Sequence, residues 1–134
     1  MHRHSNIKIL DWMSQIITGL MVMHSKNVMH RDDIKADVWS LGCSLYEMAT
    51  LQIPFDANNL DALVKVICTK EIDPLPNHLD PKIKMMIYSM LQKDKRKRPS
   101  IWDLAELEFI KERIIDFAKK NEYLETVEAL FEYG

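Results

Sequence analysis

Apolar positions recur along this chain at helical spacing and predict a mainly α-helical domain. Between residues 7 and 25 the apolar side chains form one broad face, and Lys8, Asp11 and Gln15 lie on the opposite face. A stretch with one apolar and one polar face is typical of a helix that lies on a core. We therefore predict the first long helix over residues 7–25.

A second stretch, from Asp37 to Thr50, carries apolar side chains around nearly its whole circumference. A helix can sustain such a pattern only where neighbouring elements surround it. We therefore expect this segment to be the buried central helix of a helical bundle.

Two further helices are marked by their N-terminal residues. Asn58 or Asn59 can cap a helix that runs to about Cys68, because the asparagine side chain accepts a hydrogen bond from the first turn. Asp80 followed by Pro81 is an N-cap with proline at the first helical position. Both signals predict helix starts at defined residues.

The C-terminal part of the chain continues the helical pattern. Residues 72–79 contain two prolines and are predicted to form a loop. Ser100 and Asp103 have the spacing of a capping box at a helix start. An amphipathic helix is predicted over 109–117, and residues 123–131 are a candidate for one more.

Composition limits the classes of partner. The 134 residues are 47% apolar, enough to build one core, and carry a net charge of −2 with a pI near 6.2. Such a chain has no basic field for nucleic acid or anionic lipid, and no apolar stretch is long enough to span a membrane. Cys43 and Cys68 lack zinc-site spacing and fit a reducing compartment. We expect a cytoplasmic protein, with a nuclear or cytoskeletal association left open.

Four short motifs occur in a characteristic order. Residues 20–24 (LMVMH) precede 28–32 (VMHRD), and 35–42 (KADVWSLG) and 96–100 (RKRPS) follow. Together with the order of the predicted helices, this series resembles the C-terminal lobe of a eukaryotic protein kinase over residues 7–121.

Three further stretches narrow the resemblance. Residues 45–48 (LYEM), 54–60 (PFDANNL) and 109–114 (FIKERI) are similar to the NIMA-related (NEK) serine/threonine kinases. The resemblance implies a kinase-like C-terminal lobe as the fold.

The resemblance also implies roles for individual residues. His30, Arg31 and Asp32 match the HRD triplet, whose aspartate accepts or orients the proton of the substrate hydroxyl in the family. These three residues are the candidate catalytic positions, and Asp32 is expected to be a vestigial base.

Three other residues are implied to be structural. Asp37 matches the aspartate that begins the central helix and bonds the HRD backbone in the family, and Trp39 follows it on the same helix. We expect His30 to bond Asp37. Arg98 matches an arginine that pairs with a glutamate of the family's APE motif, which this sequence lacks, so we expect Arg98 to be solvated or paired with a nearby carboxylate.

The sequence departs from the family pattern directly after the triplet. A kinase continues with a lysine, an asparagine that holds magnesium, DFG, an activation loop and APE before the central helix. Here Asp32 is followed at once by Asp33 and Ile34. The resemblance therefore implies that several dozen residues, including every metal ligand, are deleted between residues 32 and 33.

We expect three regions: a disordered N-terminus over 1–6, a partial kinase C-lobe over 7–121 and a C-terminal helical tail over 122–134. Residues 1–6 contain no glycine-rich loop and no lysine for the phosphates, so no N-terminal β lobe is expected.

These expectations predict a truncated NEK-like pseudokinase that binds neither ATP nor magnesium, needs no cofactor and retains a role in protein interaction through exposed C-lobe surface. Whether the chain is an enzyme and which oligomer it forms stay open. One alternative is a part of a working serine/threonine kinase whose missing segments are supplied elsewhere or lost from the gene model. Another is a purely structural helical module that uses residues 104–131 to bind a partner.

Overall fold

The computed structural model describes residues 5–25 and 31–133, with side chains for 5–25 and 35–132. These residues form seven α-helices and no strand. The helices are α1 (Asn6–Ser25), α2 (Arg31–Thr50), α3 (Leu60–Thr69), α4 (Pro81–Met90), α5 (Ile101–Glu106), α6 (Glu108–Lys120) and α7 (Leu124–Tyr133), and a 3-10 turn covers Lys95–Lys97. The predicted mainly α fold is therefore confirmed.

Two of the predicted helix starts carry a side-chain N-cap. Asn59 Oδ1 accepts from the Ala62 amide at 2.9 Å at the start of α3, and Asp80 Oδ1 accepts from the Lys82 amide at 2.8 Å at the start of α4. Each bond satisfies an amide that has no partner within its helix. Both predicted caps are confirmed.

The capping box at α5 is also present. Ser100 Oγ accepts from the Asp103 amide at 3.0 Å, and the Asp103 carboxylate accepts from the Ser100 amide at 2.9 Å. The two reciprocal bonds stabilise a helix of only six residues.

Helix α2 begins at Arg31, six positions before the start predicted at Asp37. Residues 33–36, which precede the predicted start, are therefore helical backbone. No proline or glycine lies between residues 31 and 37, so nothing in the sequence stops the helix from extending toward the N-terminus.

The core is built around α1 and α2. Helix α1 packs against α2, α5, α6 and α7, while α2 packs mainly against α4. The buried face of α1 carries Ile9, Leu10, Met13, Ile17 and Met21, and that of α2 carries Val38, Leu41, Leu45, Tyr46 and Ala49. Gly42 lets α2 approach α4 closely, because a Cβ there would lie 2.8 Å from Met90 Cβ.

The proline-containing loop after α3 is held by two tyrosines. Tyr46 Oη donates to the Asp73 carbonyl at 3.0 Å, and the Leu75 amide donates to Tyr88 Oη at 3.0 Å. Leu75 itself is buried in the core. The loop predicted over 72–79 is thus ordered by side chains from α2 and α4, since it has no regular partner of its own.

The C-terminal helix α7 packs on the rest of the domain. It contacts α1 and α6, and Val127 is fully buried. Lys111 Nζ lies 4.7 Å from the ring centre of Phe131, and Tyr123 packs edge-on against Phe117. The helix predicted in this tail is confirmed, and it is part of the common core.

Helix α3 differs from the other helices because none of its residues is buried. Leu60 is 74% exposed and Val64 is 53% exposed. The neighbouring face of α2, with Ala36, Ser40 and Ser44, is also exposed. The candidate site lies on this open side of the bundle.

In the described part of the chain, none of the helices has both the length and the apolar character needed to cross a membrane.

Candidate interaction site

Two cations and two aromatic rings form a stack on the open side of the bundle. The Trp39 and Phe55 rings lie 5.5 Å apart at an interplanar angle of 15°. The Arg98 guanidinium lies 4.9 Å from the Trp39 ring centre, and Lys93 Nζ lies 4.7 Å from the Phe55 ring centre. An aromatic ring face attracts a cation. These contacts therefore join α2, the loop residue Phe55 that follows it, and the 92–98 segment.

Arg98 is held by backbone carbonyls. Its Nε donates to the Gln92 carbonyl at 2.6 Å, and its two terminal nitrogens donate to the Lys35 carbonyl at 3.1 Å and the Lys93 carbonyl at 3.2 Å. Lys35 Nζ returns a hydrogen bond to the Arg98 carbonyl. These bonds join the start of α2 to the loop before α5.

The expectation that Arg98 is solvated or paired with a carboxylate is therefore wrong. The guanidinium is partly buried, and that burial lowers its pKa, while nearby Asp94 opposes the change. The carboxylate of Asp94 bonds Arg96 instead. Three carbonyls converge on Arg98 because the 92–98 segment turns back against α2, and sequence spacing gives no signal of that approach.

Two adjoining clefts lie beside the stack. The first has a volume of about 310 Å³ and is lined by α2, the end of α3, Lys93 and Arg98. The second, of about 210 Å³, lies on the other side of Trp39 and reaches Glu47. Trp39 and Ile67 line both clefts, so the two clefts adjoin, and together they are called the groove between α2 and α3.

The groove contains both cysteines. Cys68 is exposed in the first cleft, and Cys43 is half-buried in the second. Burial raises the pKa of the Cys43 thiol, and the positive charge of Arg98 partly opposes that rise. Cys43 is therefore a protonated packing residue near neutral pH.

The structure describes the candidate catalytic triplet only in part. His30 lies outside the described residues. The backbone of Arg31 and Asp32 belongs to the first turn of α2, while their side chains lie outside the described part. The catalytic assignment of these three residues stays a prediction.

Asp37 has a histidine partner that sequence reasoning did not assign. His24 Nε2 donates to Asp37 Oδ2 at 3.3 Å, and the His24 side chain is only 2% exposed. The other ring nitrogen, Nδ1, is buried and has no hydrogen-bond partner among the described residues. This contact joins the end of α1 to α2. The one sign of the His24–Asp37 contact in the sequence was the motif at residues 20–24, which ends at His24.

Among the described residues, no group of three or more His, Cys, Asp or Glu side chains is arranged to hold a metal ion. The groove instead combines an apolar floor with cationic groups at one end. Its chemistry suits binding of a partner.

Comparisons with known proteins point to one family. The family model of the protein kinase domain matches residues 33–110. The chain is 32% identical to the probable serine/threonine-protein kinase nek3 of Dictyostelium discoideum over an alignment of 162 residues, with 79% of this chain covered. It is 27% identical to the serine/threonine-protein kinase nekl-2 of Caenorhabditis elegans over 148 residues, with 72% covered. It is 39% identical to human Nek5 over 80 residues, with 60% covered.

The chain spans a small part of each relative: 14% of nek3, 42% of nekl-2 and 11% of Nek5. The family match begins at Asp33 and includes α3, α4, α5 and nearly all of α2. It therefore covers the helices that build the groove and more than half of the chain. This protein belongs to the protein kinase domain family, with NEK serine/threonine kinases among its relatives.

Proposed function

We propose that this chain is a NEK-like kinase C-lobe fragment that neither binds ATP with magnesium nor transfers phosphate by itself, and that its remaining role is protein interaction. The main support is the place where the kinase match begins. The family model starts at Asp33, directly after the HRD triplet, although HRD is itself a kinase motif. A break in the family pattern at that junction explains why the match does not extend through it.

The alignment lengths support the same break. The nek3 alignment has 162 positions but covers 79% of 134 residues, which is about 106 residues, so about 56 positions of nek3 have no counterpart here. The nekl-2 alignment leaves about 52 unmatched positions by the same reasoning. The Nek5 alignment of 80 residues covers 60% of the chain, about 80 residues, and leaves none. Long alignments thus require an internal gap, and short ones avoid it.

A gap of that size is what the loss of the catalytic and activation segments would produce. Phosphoryl transfer depends on positioning ATP and on neutralising its charge with magnesium and cationic side chains. A surviving Asp32 would supply only the general-base part, which is commonly worth about 10² to 10⁴-fold. That factor has no effect without a bound and oriented nucleotide.

The interaction role is supported by the open side of the bundle. Helix α3 buries none of its residues, and Ile53, Leu60 and Val64 are each more than half exposed. Apolar side chains grouped on one surface mark binding sites more often than isolated exposed ones do. The α2–α3 side is therefore the proposed place of contact with a protein partner.

The inactive state is tested by nucleotide binding. Purified protein is heated with and without ATP and Mg²⁺, because a ligand that binds only the folded state raises the melting temperature. We expect no Mg²⁺-dependent shift and no transfer of labelled phosphate to a general substrate such as casein. Asp32→Ala serves as the matched control and is expected to behave like the unchanged chain. A shift with ATP and Mg²⁺, or phosphate transfer that Asp32→Ala abolishes, sinks the proposal.

A second candidate is a working serine/threonine kinase whose missing segments are supplied elsewhere or were lost from the gene model. The intact HRD triplet and the kinase-like order of the remaining motifs favour it. Sequencing transcripts across the Asp32–Asp33 junction distinguishes the two. A predominant message that encodes DFG and APE between these codons supports the working kinase, and a predominant message without them supports the fragment.

A further inference from the structure

We propose that the groove between α2 and α3 binds a partner peptide in which a large apolar side chain stands next to an aspartate or glutamate. The proposal rests on the interaction role proposed above and specifies the place and the chemistry of the partner. Three features of the groove support it: its apolar floor, the excess of cations over carboxylates at one end, and the difference in charge between its two ends.

The floor of the groove accepts an apolar side chain. Trp39 and Ile67 line both clefts, and Phe55 and Leu63 line the second. The larger cleft, of about 310 Å³, is near the lower limit of small-ligand pockets, which hold about 300 to 1,000 Å³. It therefore suits one or two side chains of an inserted segment better than a flat domain surface.

Two cations, Lys93 and Arg98, line the first cleft, and Lys35 is joined to Arg98 beside it. Asp94 acts on Arg98 electrostatically, but its carboxylate is bonded to Arg96. Lys35 Nζ bonds the Arg98 carbonyl, Lys93 Nζ bonds the Ile67 carbonyl, and Arg98 bonds three carbonyls. In the described part of the chain, none of these three cations forms an ion pair. Carbonyl dipoles satisfy their hydrogen bonds but leave the net charge in place, so an incoming carboxylate would be attracted.

Two cations on other parts of the surface bond carboxylates directly, unlike those at the first cleft. Arg113 bonds Asp11 at 2.7 Å, and Lys111 bonds Glu106 at 3.1 Å. At the far end of the groove, Glu47 lines the second cleft. The acidic residue of the partner is therefore expected at the Arg98 end, with the apolar side chain over Trp39.

The chain's own acidic and apolar tail does not supply this segment. Helix α7 has the required composition, but it packs against α1 and α6 with Val127 buried. Helix α7 is therefore not the occupant, and the occupant that we propose is a segment of another protein.

The test uses two fluorescein-labelled synthetic peptides, Ala-Leu-Phe-Glu-Glu and Ala-Leu-Phe-Gln-Gln, with binding to the full chain followed by fluorescence anisotropy. They have the same shape and differ in charge. We expect the acidic peptide to bind about tenfold more tightly than the neutral one at low salt, and the difference to shrink as salt screens the charges. Equal affinities, or no binding of the acidic peptide at millimolar concentration, would overturn the proposal.

Ser40 provides a matched pair of variants. It is exposed and lines the first cleft, and its side chain forms no hydrogen bond within the described part of the chain. Ser40→Glu adds a negative charge and is expected to weaken acidic-peptide binding about tenfold relative to Ser40→Gln, which adds the same bulk without charge. Equal melting temperatures for the two variants establish that both are folded. Equal peptide affinities for the two variants would contradict the assigned site.

Cys68 reports where the peptide binds. In a Cys43→Ser background, the acidic peptide is expected to slow alkylation of Cys68 severalfold, because Cys68 lines the first cleft. Binding with unchanged alkylation would place the peptide elsewhere and overturn the assigned groove while leaving the interaction role intact. Failure of that broader proposal has a different signature, namely ATP binding and phosphate transfer that depend on Asp32.

Discussion

The contact between α2 and α4 can be tested with two helical glycines, one exposed and one buried in close contact. Both lie within helices, Gly19 in α1 and Gly42 in α2. A Cβ at Gly42 would lie 2.8 Å from Met90 Cβ and 3.0 Å from Leu91 Cδ2, while a Cβ at Gly19 would have no atom within 4 Å. Substitution by alanine therefore separates close packing from helix propensity.

The expected magnitudes follow from two opposing terms. Alanine in a helix interior is favoured over glycine by about 1 kcal/mol, and Gly19→Ala should gain most of this. Gly42→Ala gains the same term but adds a methyl group to a filled space, which costs about 1 to 3 kcal/mol. Met90 Cβ is fixed by its own backbone and cannot rotate away, so the upper part of that range applies. We expect a net loss of about 1 to 2 kcal/mol for Gly42→Ala.

The measurement is urea unfolding followed by far-UV circular dichroism. The free energy of unfolding should rise for Gly19→Ala and fall for Gly42→Ala, with similar dependence on urea in both. A loss of 1 kcal/mol corresponds to a drop of roughly 4 °C in the melting temperature for a domain of this size. If both substitutions stabilise equally, α2 and α4 do not approach as closely as described.

Three further predictions concern single side chains. Arg98→Lys should lower the free energy of unfolding by about 2 kcal/mol, because one ammonium group cannot reach three carbonyls. The control Arg96→Lys, on exposed surface, should leave urea unfolding unchanged. Equal effects of the two substitutions would contradict the role of Arg98. Ser100→Ala should cost about 1 kcal/mol in the same assay because the α5 capping box loses its acceptor, and an unchanged midpoint would argue against the cap. Because burial raises the pKa of Cys43, its alkylation in a Cys68→Ser background should need a higher pH than that of a free thiol, as followed by mass spectrometry. The protonated thiol contributes stability that is complete below the ordinary thiol pKa and is lost as the pH rises through the raised folded value; alkylation at the free-thiol pH would refute this.

Local signals predicted the helix starts well. Asn59, Asp80 and Ser100 cap α3, α4 and α5 because a cap depends on residues two or three positions apart in sequence. The start of α2 was missed for a related reason. The family resemblance placed the start of the central helix at Asp37, while the residues before Asp37 contain nothing that stops a helix.

The candidate site was harder to predict from sequence. Arg98 was identified through its motif, but its partners were not, since the Lys35 carbonyl lies 63 positions away in sequence. Asp37 contacts His24, a partner that the motifs did not assign, while the expected partner His30 lies outside the described residues. Side chains that meet across helices have no fixed sequence spacing, so a motif predicts the presence of a contact residue better than its partner.

The sequence by itself determined the helical class, the helix caps and membership of the kinase family, because periodicity, capping and motif order are all properties of residues read along the chain. Only the tertiary structure decided that α2 and α3 leave a groove between them and that Lys93 and Arg98 line it while bonded to backbone carbonyls. The physical reason is that burial and charge balance depend on which surfaces meet in three dimensions. Those surfaces come from segments far apart in sequence.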